Sequence, residues 1–190
     1  MLSQLNSLFG ISIRHASDRD AIIMAELFYS TRCDFYQLGL PQMTVDMLLQ
    51  QQYQLQQISY KSHYPNAKDY ILCQQSEVIG KLTLAVNQEY LHLVDLVLAP
   101  EIRGKGLGTA VLESLKQDAI AQKADIRLSV ALDNPRAKAL YLQQGFIIHS
   151  ISQTHETMLW QWRERILSYA SSINKIKGSL VNASSIINFN

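Results

Sequence analysis

Leu98-Ala99-Pro100-Glu101-Ile102-Arg103-Gly104-Lys105-Gly106-Leu107-Gly108-Thr109 stands between an apolar run and a run with helical spacing. Three glycines and two cations therefore fall where a strand hands over to the N-terminus of a helix. A helix begins with backbone N–H groups that no helical carbonyl satisfies, and its dipole adds partial positive charge there. Glycines let the main chain approach an anion closely, so the stretch reads as an oxyanion site. The spacing narrows the choice of ligand. A dinucleotide fingerprint needs glycine where Thr109 stands, and a Walker loop needs Ser or Thr after Gly104-Lys105, where Gly106 stands. What fits is Arg103-x-x-Gly106-x-Gly108.

Further along, the chain reads Asn134-Pro135-Arg136-Ala137-Lys138-Ala139-Leu140-Tyr141-Leu142-Gln143-Gln144-Gly145-Phe146. Asn134 and Pro135 have the character of a helix cap and first turn, Ala137, Leu140 and Tyr141 share a face, and Gly145 stops the helix. The Arg-x-x-Gly-x-Gly loop resembles the acetyl-CoA pyrophosphate loop of the GCN5-related N-acetyltransferases (GNAT). The second block resembles that family's N-x-x-A-x-x-L-Y-x-x-x-G-F segment. Together, in this order, they extend the resemblance over roughly residues 11 to 161.

Composition agrees with one enzyme domain: 190 residues, 47% hydrophobic and 17% charged, are ample for one core and short for two. A net charge of +1 and the absence of any Lys/Arg block offer nothing to nucleic acid or to an anionic membrane. Cys33 and Cys73 have no metal-type spacing and make no disulfide framework. No basic leader precedes an apolar stretch and no apolar run approaches membrane length, so a cytosolic location is expected.

Along the chain, Ile11 to Arg14 alternates like a strand, and Asp18 is expected to cap a helix to about Arg32, with Ile22, Ile23, Ala25, Leu27 and Phe28 inside. A second helix is expected from Thr44 to Tyr60 on Met47, Leu48, Tyr53, Leu55 and Ile58, its seven glutamines between 42 and 57 forming a solvated face. Asp69–Gln74, Val78–Val86 and Tyr90–Leu98 read as an antiparallel meander. Leu107, Val111, Leu112, Leu115 and Ala119 mark the helix after the glycine loop, followed by a strand over 126–132 and a closing strand over 157–162. The fold class expected is α/β: a mixed, mostly antiparallel sheet flanked by helices in a domain over 1–162. Residues 163–190 would add a helix to Lys177, striped with Ile166, Leu167, Ala170, Ile173 and Ile176, and a Ser/Asn-rich tail. That stripe fits packing on its own domain, or a homodimer or partner contact.

The resemblance implies direct transfer of acetyl from acetyl-CoA to a primary amine of a small molecule or protein, with no metal and no cysteine nucleophile. It implies that Leu96, Val97 and Leu98 offer main-chain groups to the coenzyme arm. The phosphates would meet Arg103, Gly104, Lys105, Gly106, Leu107, Gly108 and Thr109, and Asn134 would contact the coenzyme or cap its helix. Tyr141 would protonate the departing thiolate. An attacking ammonium must first lose a proton. By strand parity Tyr90, His92, Val94, Leu96 and Leu98 share a face with Asp95 opposite, which makes His92 the candidate base, direct or through water. Arg32, Asp34, Tyr36, His63 and Tyr64 lie in segments that set acceptor specificity in such a fold. The alternative is a catalytically silent CoA-binding sensor or assembly module that uses its C-terminal helix as a partner surface.

Overall fold

The structure, a computed structural model, describes residues 10–87 and 89–163. Seven strands join in one sheet: β1 (Ile11–His15), β2 (Lys68–Gln74), β3 (Glu77–Val86), β4 (Tyr90–Leu98), β5 (Asp125–Ala131), β6 (Ile147–Ile151) and β7 (His155–Trp160). Their order is β1-β2-β3-β4-β5-β7-β6, and only β4 and β5 run parallel among neighbours. The helices are α1 (Ala21–Tyr29), α2 (Gln42–His63), α3 (Leu107–Gln122) and α4 (Pro135–Gln143). The parallel pair requires a crossover, and α3 supplies it.

The helical stripe expected after the glycine loop is the centre of the fold. Leu107, Val111, Leu112, Leu115 and Ala119 are all buried, in one cluster with Leu82, Leu84, Leu91, Leu93, Ile126 and Leu128 of the sheet. Each such Leu, Ile or Val side chain contributes roughly 1.5–3 kcal/mol on leaving water, so this face holds most of the apolar stabilisation. Helix α4 closes the cluster with Ala137, Leu140 and Tyr141. Its start is as the sequence predicts, with Asn134 Oδ1 accepting from the Ala137 N–H at 3.1 Å and Pro135 in the first turn.

The other face carries α1 and α2, and here the expected helix bounds and faces shift. Residues Asp18–Asp20 form a 3-10 turn rather than the first turn of an α-helix. The cause is Asp20, whose carboxylate accepts from Arg14 Nη1 and Nη2 (2.8 and 2.6 Å) and from the Ser17 N–H (2.7 Å). These partners hold the Asp20 carboxyl well below the usual range, the Arg14 guanidinium first. Helix α1 then buries Met24, Leu27 and Phe28 and leaves Ile22 75% exposed. In α2 the buried residues are Val45 and Leu49, while Met47, Leu55 and Ile58 of the expected stripe face outward. The helix leans on α1, where the Tyr53 ring meets Phe28 at 5.2 Å, instead of lying flat on the sheet.

Strand β4 departs from simple alternation. Thr83 pairs with Asp95 but Leu84 pairs with Leu93, so Val94 is an extra residue, a β-bulge. The bulge resets the pleat. Leu91 and Leu93 before it, and Leu96 and Leu98 after it, pack on the α3 side, whereas Val97 packs with Leu27 of α1. The expected single face Tyr90-His92-Val94-Leu96-Leu98 is therefore broken, and Asp95 shares His92's side rather than opposing it. On its other edge β4 pairs with β5 only from Tyr90↔Asp125 to Leu93↔Leu128. Beyond those residues the two strands part. The helix expected over 163–177 falls, apart from residue 163, outside the described residues.

Candidate functional site

The gap between β4 and β5 opens toward the glycine loop. Main-chain direction alternates along a strand, and the Ala99 N–H bonds to Ile79 O on the β3 side. Leu96 and Leu98 thus turn their main chain toward the gap, and Val97 turns its own toward β3. The Leu98 carbonyl already accepts from Arg103 Nε at 2.8 Å. Gly80 faces Leu98 across the ladder because nothing larger fits: a Cβ there would lie 2.5 Å from Val97 O.

At the mouth of the gap, none of the N–H groups of residues 104 to 109 hydrogen-bonds to a described residue. The first intrahelical bond of α3 runs from Ala110 N to Gly106 O at 3.0 Å. Gly104 (φ 79°) and Gly106 (φ 82°) hold the left-handed backbone that folds these donors into a cradle, and open space lies where a Gly106 side chain would be. Lys105 stands in this loop, and Arg136 Nη2 comes within 3.5 Å of a Cβ built on Gly104. Arg136 lies inside the motif quoted from the sequence yet was no candidate there. The Arg103 side chain is drawn inward: besides Leu98 O, it donates to Ser30 O (3.3 Å) and Ser30 Oγ (2.8 Å), strapping the end of α1 to the end of β4. The residues present therefore suit an extended, phosphate-bearing ligand such as coenzyme A, held by main-chain donors more than by Arg103.

Tyr141, on α4, packs against the core cluster with its ring 5.8 Å from Phe146. Its hydroxyl makes no hydrogen bond to a described residue. Burial, with the Asp95 charge second, pushes its pKa up to about 12, so the phenol keeps its proton at any physiological pH.

The opposite side of β4 is polar. His92 Nε2 lies 3.1 Å from Tyr64 Oη, and the rings are 4.5 Å apart. Burial, then the nearby Arg127 guanidinium, lowers the His92 pKa to about 4, so the imidazole is neutral at pH 7. Beyond the bulge, Asp69, Thr83 and Asp95 form one row across β2, β3 and β4, with Thr83 Oγ1 donating to Asp69 Oδ1 at 2.6 Å. Lys81 Nζ, its side chain 1% exposed, lies 3.0 Å from Asp95 Oδ2. Arg32 lies over the Phe28 ring at 3.6 Å. Tyr60 and Tyr53 are near enough to Asp95 for its charge to add to the burial that raises both phenols.

Of the acceptor residues expected from sequence, Arg32 and Tyr64 join this face. Asp34 is exposed, the Tyr36 hydroxyl donates to Asp46 Oδ1 at 2.8 Å, and His63 Nδ1 meets Ser59 O at 2.9 Å on the surface of α2. Lys81, Asp95, Tyr53 and Tyr60 were missed, Asp95 because parity without the bulge sends it to the other face. A cavity of about 460 Å³ lined by Tyr90, Lys123, Asp125, Arg127 and Trp162 lies at the opposite, paired end of β4 and β5. Among the described residues no group of three or more His, Cys, Asp or Glu could hold a metal ion, and no helix is long and apolar enough to cross a membrane.

The model of the acetyltransferase (GNAT) family matches residues 26–146. Among solved structures, the chain is similar to a PaiA N-acetyltransferase from Thermoplasma acidophilum in complex with coenzyme A (21% identity, TM-score 0.59, 80% of this chain and 98% of that one). It is also similar to an acetyltransferase from Thermus thermophilus (21%, TM-score 0.57, 78% and 95%). A third is a chimera of the spermidine N-acetyltransferase SpeG from Vibrio cholerae and hSSAT (20%, TM-score 0.56, 82% and 98%). At such identities the likeness is one of fold.

Proposed function

Because the chain belongs to the GNAT acetyltransferases, we propose that it transfers acetyl directly from acetyl-CoA to a primary amine, with the thioester in the gap between β4 and β5. The observation that carries this reading is the edge of β4 beyond Leu93, unpaired with β5, with six N–H groups at one end that no described residue claims. Acetyl-CoA supplies the activated acyl group. The protein supplies alignment: Leu96 and Leu98 offer main-chain groups to an extended arm, and residues 104–109 with Lys105 and Arg136 surround the phosphates.

The amine must arrive neutral at the acyl carbon. An imidazole with a pKa near 4 is a weak base, so His92 acts with Tyr64 and water as a relay that passes the ammonium proton outward. Tyr141, with its pKa near 12, does not hand its proton outright to a thiolate whose conjugate acid lies near about 8.5. It donates a hydrogen bond to the sulfur as negative charge develops there, and the proton lost by the attacking nitrogen completes the thiol. The acceptor is an amine of a small molecule or protein.

Calorimetric titration with acetyl-CoA, followed by thiol release in the presence of amines, tests the reading. Selective binding of acetyl-CoA over ATP and amine-dependent thiol release are expected. Failure of the folded protein to bind acetyl-CoA overturns it, and binding without release under any amine favours the silent sensor.

A further inference from the structure

Resting on that reading, we propose that the acceptor is a small zwitterion, with its ammonium on Asp95 and a carboxylate on the guanidinium edge of Arg32. Asp95 is pinned from beneath. Its Oδ2 is buried and takes the Lys81 charge at 3.0 Å without forming a hydrogen bond. Oδ1 makes no hydrogen bond to a described residue and is not among the buried unpartnered atoms, so it is the more open oxygen. A buried ion pair of this kind adds little stability, because removing both charges from water offsets their attraction. It does hold a carboxylate in one place. Asp95 lies on the face of β4 that packs against α1, past the last residue of β4 that pairs with β5. An ammonium resting on Oδ1 would stand beside the stretch of β4 that has parted from β5.

Arg32 completes the pair. Its Nη1 donates to Thr31 Oγ1 at 2.7 Å and to Phe28 O at 3.4 Å, and its plane rests on the Phe28 ring. The Nε and Nη2 donors, the edge that meets a carboxylate with two parallel bonds, have no hydrogen-bond partner among the described residues. The strap from Arg103 to Ser30 fixes the backbone two residues away. The Nε–Nη2 edge offers a carboxylate two parallel donors, which a monoamine or an oligocation would leave unused.

The full chain, saturated with CoA, is titrated calorimetrically with the twenty amino acids, the amines obtained by removing their carboxylate (phenethylamine against phenylalanine, for example), and spermidine. At least one amino acid should bind about 30-fold more tightly than its amine, the scale of a charge-assisted bidentate contact. Arg32→Met should abolish that ratio while leaving the amine's affinity within about threefold, and Arg32→Lys should restore part of it. Asp95→Asn should weaken the acid and the amine together. Equal binding of acids and amines, preference for spermidine, no binding of any member, or an unchanged ratio in Arg32→Met overturns the proposal. Thiol release separates it from the reading beneath: release with preference for bare amines sinks the zwitterion and keeps transfer. Carboxylate-selective binding with no release sinks transfer and keeps the pocket.

Discussion

The two sides of β4 recognise by different means. Toward α3 and the glycine loop the working groups are main-chain: Leu96 and Leu98, which do not pair with β5, and N–H groups from 104 to 109 that bond to no described residue. Toward α1 and α2 they are side chains, with a buried Lys81–Asp95 pair, Arg32 on a phenyl ring and a bank of tyrosines. A main-chain site needs particular backbone angles and tolerates most side chains around it. A side-chain site needs particular residues, assembled from four elements that are distant in sequence. The first suits a ligand shared by a whole family, and the second is where one chain can differ from its relatives.

If the coenzyme side works through its backbone, a charge placed in the cradle should be the most damaging single change. Gly106→Asp should cut acetyl-CoA affinity by more than about 100-fold in calorimetry, through direct repulsion of the phosphates. The loss of stability should be no more than the cost, on the order of 1–2 kcal/mol, of a left-handed angle at a non-glycine residue. Retained affinity would place the phosphates elsewhere. Tyr141→Phe comes next. It should lower kcat by about 100-fold and leave acetyl-CoA affinity within about twofold, as befits a group whose bond forms only in the transition state. Equal kcat in a rapid-mix assay would remove its role.

Gly80→Ala probes whether the gap depends on the β3–β4 ladder. A methyl group 2.5 Å from Val97 O must push β4 outward, costing about 1–3 kcal/mol in denaturant unfolding and weakening acetyl-CoA binding along with it. Full affinity in the destabilised variant would uncouple ladder and site. The smallest expected effect lies on the acceptor side. The folded pKa of His92 is lowered, so between its ordinary value near 6.5 and about 4 the unfolded chain binds more protons. Stability should fall as pH drops through that window and level off below it. His92→Gln should remove this slope from the pH dependence of unfolding and shift the acidic limb of kcat/KM; an unchanged limb would put the proton path elsewhere.

The contrast also explains what could be read before any coordinates. The loop and the α4 segment announce themselves because backbone recognition leaves glycines, a cap and a helix stripe at fixed short spacings. The stripe from Leu107 to Ala119 and the meander of β2, β3 and β4 are legible for the same reason: their contacts follow local periodicity. The α1 and α2 faces were misread because what rotates them is tertiary. Arg14 on β1 grips Asp20 before α1, and α2 leans on α1, so Ile22, Met47 and Ile58 stay outside despite their apolar character. Asp95 escaped for a single cause, the bulge at Val94, which no residue type in that stretch signals. Arg32 and Tyr64 could be named only as members of a segment, since their meeting with β4 depends on how α1 and α2 dock.

The extra residue at Val94 also makes β4 bilingual. Before it, odd positions read toward the helix-packed core; after it, even positions do. Pairing the strand straight through Val94, one residue of β4 to each residue of β3, would keep its length while exchanging the meaning of every residue downstream. Asp95 would be driven into the hydrocarbon interior, and Leu96 and Leu98 would carry their side chains into the amine's approach. The chemistry of this strand thus rests on a phase offset, and any redesign of its specificity has to conserve that offset before it chooses a single new side chain.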